Sequence, residues 1–145
     1  MNYSRLVAAA VAATVADMIY GFVVYGLLLA GQFGRYPGVY RPAEDMSYMP
    51  VLVAGAFVAT LAATFIYSKG YEGRSGVEEG LRFGAVLGLF AVGYVAMVNY
   101  AVLNIGRRLA LSLAAAGFVE WLVVGLVIGL VYKPAPSASR RSAGV

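Results

Sequence analysis

The chain has no cysteine and no histidine among its 145 residues, and only 12% of its positions are charged, against about 25% in a soluble domain. Without cysteine there are no disulfides, no thiolate metal sites and no cysteine nucleophile. Without histidine the commonest haem and transition-metal ligand is missing, together with the usual general base. No nucleophile–base pair stands out among the remaining residues. The expectation is therefore no enzyme, no cofactor and no metal. Proline is scarce too, and the five that occur, at 37, 42, 50, 134 and 136, fall outside the long apolar runs, as residues that cost a helix hydrogen bond should.

Apolar side chains are what the chain has in excess. They make up 61% of it, and the mean hydropathy is +0.78, so its solvent reads as a lipid bilayer. The net charge of +4 is spread over loops and tail. A nucleic-acid partner would need a clustered basic face, and none is present.

A helix needs about 20 mainly apolar residues to cross a bilayer. Four runs fit: Leu6–Ala30, Val51–Ser68, Phe83–Ile105 and Leu109–Tyr132. The fold class expected is all-α, a four-helix transmembrane bundle over residues 1–132, with 133–145 (KPAPSASRRSAGV) a disordered cytoplasmic tail. Arg5, Lys69, Arg74, Arg82, Lys133, Arg140 and Arg141 would lie on one side, against Arg35, Arg41, Arg107 and Arg108 on the other. The positive-inside rule then puts both termini in the cytoplasm. That bias is moderate, and dual insertion stays open beside it. The opening MNYSRLVAAAVAATVA also has the form of a secretory signal, but the apolar run continues to Ala30 with no polar start behind it. An uncleaved anchor is expected.

Helices in lipid associate through small residues that allow close approach. Gly80, Gly84 and Gly88 stand four apart in the third run, and Gly117, Gly125 and Gly129 lie on one row of the fourth. The first run carries Ala9, Ala13, Asp17 and Gly21 at the same spacing, and the second Gly55, Ala59 and Ala63. Such rows pack the bundle internally or face a neighbour, which makes a homo-oligomer or a larger membrane complex the expected partner besides lipid.

Two acids break the apolar pattern. Asp17 lies on the small-residue row of the first run, and Glu120, followed by Trp121, lies in the fourth. Counted from the same end of the bundle, both fall near mid-membrane. A carboxylate at that depth costs about 2.5–3.5 kcal/mol on the insertion scale. No lysine or arginine lies in any of the four runs. Neutral polar groups are available: Tyr20, Thr60, Thr64 and Asn99, with Thr14, Tyr25, Tyr94, Tyr100 and Asn104. Asn99 follows Gly88 by close to three turns, so every helix offers a polar group to a common interior. Three states remain open. The acids are protonated polar glue, or they bind a cation from solution, or with Trp121 and tyrosine they cage an organic cation.

The segment YEGRSGVEEG lacks the GxxxxGK[ST] pattern and is no phosphate loop. Glu78 and Glu79 suit the first turn of a helix, and Lys69, Arg74 and Arg82 suit anionic headgroups. Tyr3, Tyr67, Tyr71 and Tyr132 fit one interfacial aromatic belt, and Tyr36, Tyr40 and Tyr48 the other. A faint internal repeat pairs YGLLLAG with YAVLNIG, and FIYSKG with LVYKP.

IYSKGYEGRSGVEEGLRFGAVLGLF and GFVEWLVVGLVIGLVYKP together resemble a group of small bacterial four-span membrane proteins. The resemblance covers the second half of the chain. It implies a bacterial inner-membrane location and brings no activity or site with it.

Overall fold

The computed structural model describes residues 2–42 and 44–132; the expected tail 133–145 lies outside the described residues. The protein is all-α, with four long apolar helices: α1 (Tyr3–Leu28), α2 (Met46–Lys69), α3 (Gly76–Val102) and α4 (Arg107–Val131). At 24 to 27 residues each, they run roughly 36–40 Å, enough to cross a hydrocarbon core of about 30 Å. It is an integral, multi-pass membrane protein.

The helices outrun the apolar windows because polar caps extend them. Asn2 accepts from the Arg5 N–H at 3.2 Å, and Ser75 from the Glu78 N–H at 3.1 Å. Two expectations shift with them. Pro50 lies inside α2, in its first helical turn, where a missing N–H leaves no bond unmade. Arg82 lies inside α3, near its start, 3.6 Å from Glu72.

Neighbours follow the order α2–α1–α4–α3. The tightest contact is α3 on α4, an antiparallel glycine ladder. Gly76 meets Gly129, Gly80 meets Gly125, Gly84 meets the Trp121 carbonyl and Gly88 meets Phe118. A Cβ added at Gly80 would lie 2.5 Å from the Gly125 oxygen, and one at Gly88 2.7 Å from the Phe118 ring. Gly76 was hidden from the sequence pattern because it precedes the apolar run. Gly117 is a correction: a Cβ there would meet nothing within 4 Å. Each four-residue step turns a helix row by about 40°, so two steps from Gly125 the row has left the contact, and Phe118 takes the place. The row in α2 is corrected likewise. Only Ala63 is buried, Ala59 is exposed, and Gly55 has nothing within 4 Å.

At the end where α1 starts and α4 finishes, Leu6, Ala9, Ala13, Ala63, Tyr67, Val124, Ile128 and Tyr132 form a closed core. Tyr67 and Tyr132 are 4% and 2% exposed, with ring centroids 6.0 Å apart. These two were expected in the aromatic belt. They instead plug the bundle, because Tyr67, Tyr71, Phe83 and Tyr132 pack their rings edge to face and cover one another. Phe83 packs edge-on against Tyr67 at 5.4 Å.

The α2–α3 loop is held at this closed end by Glu79, which is 7% exposed. Its Oε1 accepts from the backbone N–H groups of Glu72 (3.1 Å) and Arg74 (2.6 Å), and its Oε2 from the Tyr67 hydroxyl at 3.3 Å. Gly73, at φ +87°, makes the turn between the two donors. Glu79 thus does more than favour a helix start. Glu79→Ala should leave those donors unmatched, at a cost of about 1–3 kcal/mol, and free the loop. Trypsin should then cut after Arg74 markedly faster than in wild type; an unchanged rate would mean that something else holds the loop.

The opposite end is open. No residue of α2 from Met46 to Ala59 is buried, and a shallow, largely open apolar surface runs along Met49, Val53 and Phe57. The segment after α1 folds toward α4 instead of covering α2. Gln32 donates to Ser112 at 3.2 Å, and the Tyr36 hydroxyl accepts the Gly106 N–H at 2.9 Å. At the start of α2, Ser47 donates its hydroxyl and its backbone N–H to Asp45. These bonds, with Arg41 nearby, hold that carboxyl below the usual range.

Candidate functional site: a carboxyl pair between α1 and α4

Small residues let α1 and α4 approach at Ala9 and Ala13, both fully buried. One turn further along that row the face carries Asp17. There it faces Glu120 of α4, with the two carboxyl groups in interaction range of one another. The Tyr25 hydroxyl donates to Glu120 Oε2 at 2.7 Å, and the Tyr20 hydroxyl donates to the Ala116 carbonyl at 2.8 Å. The two tyrosine rings meet edge to face at 6.2 Å.

Tyr25 reaches this face because α1 changes its winding. Residues Phe22–Leu28 form a π-helical segment, closed by the Leu29 N–H on the Val24 carbonyl at 2.8 Å. In an unbroken α-helix Tyr25 would stand roughly 140° around the axis from Tyr20. The wider turn, closing over five residues, brings it back toward α4. A second π segment, Ala91–Met97, lies in α3. It carries Tyr94 at the position that Tyr25 holds in the first, whereas the faint repeat between YGLLLAG and YAVLNIG aligns Tyr25 with Tyr100. Tyr94 is 67% exposed and stacks on Phe90 at 5.6 Å.

The chemistry of the pair follows from its valences. Two carboxyl groups hydrogen-bond to one another only when one carries a proton. Asp17, Tyr20, Tyr25 and Glu120 are the titratable groups that act on one another at this contact. No lysine or arginine is among them, so a shared proton is the one charge-neutralising link the chain itself offers the two acids. The arrangement can hold α1 to α4, and it can carry a proton.

The other expected members lie elsewhere. Thr60 and Thr64 belong to the contact of α2 with α1. Thr60 pairs with Thr14 at 2.7 Å, and Thr64 donates to the Thr60 carbonyl at 2.7 Å. The Trp121 side chain packs against the closed core, about 100° around α4 from Glu120. Asn99 is half-buried on α3. By the register of the glycine ladder it stands level with Arg107, thirteen residues and roughly 20 Å from Glu120. The common polar interior expected from the sequence is not formed, because α4 lies between α3 and α1. Tyr25, five residues after Tyr20, was visible as a polar group in the run. Its role was not, since ordinary helical spacing turns it away.

Among the described residues no cluster of histidine, cysteine, aspartate or glutamate could hold a metal ion. Compared with family models, with curated proteins and with solved structures, the chain matches none at a significant level.

Proposed function

We propose that the protein is a non-enzymatic assembly subunit of a bacterial inner membrane, docking through helix faces onto a second copy or a larger membrane complex. The observation that carries this reading is α2: from Met46 to Ala59 it has no buried residue and only Ala56 and Phe57 are partly covered, whereas the open-end half of α1 is partly covered by α4 through Tyr20 and Tyr25. Lipid can cover such a face, but it is also shaped for another helix, with Gly55 and Ala59 allowing close approach. The carboxyl pair fits the same reading as polar glue, since the hydroxyl of Tyr25 and the two acids satisfy one another inside the chain. The closed end, with Arg5, Lys69, Arg74 and Arg82, faces the cytoplasm in this account.

A photo-crosslinking residue placed at Val58 of α2 tests the proposal in native membranes. We expect a crosslinked protein band, absent when the same residue replaces Leu89 of α3. Lipid adducts alone at Val58 would sink the docking role.

A second reading has one observation in its favour. The carboxyl pair sits one turn beyond Thr14 and Thr60, where the closed core stops and α2 is no longer buried. A proton-coupled carrier of a cationic small molecule would place its exchangeable acid at such a level.

A further inference from the structure

Eleven basic residues are present in the chain, and at the closed end Arg74 and Arg82 are matched with acids. Arg74 lies 2.9 Å from Glu78, and Arg82 lies 3.6 Å from Glu72. At the open end Arg41 is matched too, 3.7 Å from Asp45 and stacked 3.3 Å over the Tyr48 ring. Arg35, Arg107 and Arg108 differ. All three are exposed, and among the described residues none has a carboxylate partner. The acids of this end are Glu44 and Asp45, and Asp45 is engaged by Arg41 and Ser47.

Arg35 is distant in sequence from Arg107 and Arg108, and the fold fastens its segment to theirs. The hydrogen bond between the Tyr36 hydroxyl and the Gly106 N–H, at 2.9 Å, joins the residue after Arg35 to the residue before Arg107. The Gln32–Ser112 contact, at 3.2 Å, fastens the same two segments a second time. Like charges gathered in this way repel, and Arg107 and Arg108 also oppose the dipole of α4, whose first turn they occupy. A bound anion relieves both effects. The apolar run of α4 begins at Leu109, which is 1% exposed, so the guanidinium groups stand at the bilayer surface, where lipid phosphates lie.

We infer that Arg35, Arg107 and Arg108 form a binding site for the phosphate of an anionic phospholipid in the leaflet at the open end. Arginine suits this ligand because its planar fork bonds two phosphate oxygens at once. Basic side chains near a membrane surface each add attraction to anionic headgroups. The Tyr36–Gly106 bond acts as the positioning contact that keeps Arg35 beside the other two.

The test is lipid retention. Purified protein in nanodiscs of phosphatidylcholine, with and without phosphatidylglycerol, is transferred to detergent, and retained lipid is counted by native mass spectrometry. Wild type should retain phosphatidylglycerol in preference to phosphatidylcholine. Arg107→Ser with Arg108→Ser should weaken that retention roughly 30-fold. The lysine pair at the same positions, which keeps the charge, should recover much of it and serves as the folding control. Tyr36→Phe removes no charge and should give a smaller loss. Equal retention of both lipids, or full retention in the serine pair, would overturn the site. Displacement of the lipid by millimolar inorganic phosphate would show that free phosphate, and not a lipid headgroup, is the ligand.

Discussion

Gly80→Leu is expected to be among the most damaging single substitutions in the protein, and Gly117→Leu one of the mildest. A side chain at Gly80 runs into the Gly125 carbonyl and the Leu126 Cα, 2.5 and 3.1 Å from the added Cβ. The obstacle is backbone, which cannot swing aside as a side-chain tip does. The cost should therefore exceed the roughly 1–3 kcal/mol typical of overpacking, and α3 should separate from α4 along the ladder. At Gly117 an added Cβ meets nothing within 4 Å, so leucine there changes mainly lipid contact. Thermal unfolding of the two variants in the same detergent checks the contrast. Similar melting temperatures would mean that the ladder does not hold these helices together. In lipid, where no hydrophobic force favours helix over tail, close van der Waals approach is the main attraction available, which is why a single methyl group matters so much at this contact.

The second large effect concerns the carboxyl pair. Glu120→Leu removes the acceptor of Tyr25 and the partner of Asp17 together, leaving a carboxyl and a hydroxyl unmatched between two helices. The expected cost is about 1–3 kcal/mol for each group left unpaired. Asp17→Asn and Glu120→Gln should do far less harm, because each amide can donate to the remaining carboxylate and so replaces the shared proton by a permanent N–H. The pH dependence has a definite sign. As glue, wild type is held by a shared proton, and rising pH that removes the proton turns attraction into repulsion. The amide variants lack this loss. Function separates on the same variants. As glue, the pair holds its proton, and no candidate cation releases it from purified protein. As a carrier site, it gives the proton up when a cation arrives, and the release vanishes in either amide variant. We expect no release across a broad cation panel; release that depends on both acids would replace the assembly reading with the carrier.

The four helices could be read from the sequence because hydropathy is a local property. Twenty consecutive apolar residues behave alike whatever lies beside them, and the spans were placed to within a few residues except where α3 begins early at Gly76. The spacing of Gly80, Gly84 and Gly88 was equally plain, since one helix face is a matter of angular period. Asp17 and Glu120 stood out as acids where every neighbour is apolar, and counting residues put them at one depth. What only the tertiary structure decided depends on which helix lies next to which. The order α2–α1–α4–α3 brings Asp17 to Glu120, gives Thr60 to Thr14, and keeps Asn99 apart from both acids. It turns Tyr67 and Tyr132 into the closed core and leaves the open half of α2 uncovered. The π turn that swings Tyr25 onto Glu120 has no proline or other mark in the sequence. An uncommon winding of this kind persists where tertiary contacts hold it in place: its local cost is repaid by a hydroxyl reaching a carboxylate 95 residues away, a distance at which no local pattern carries information.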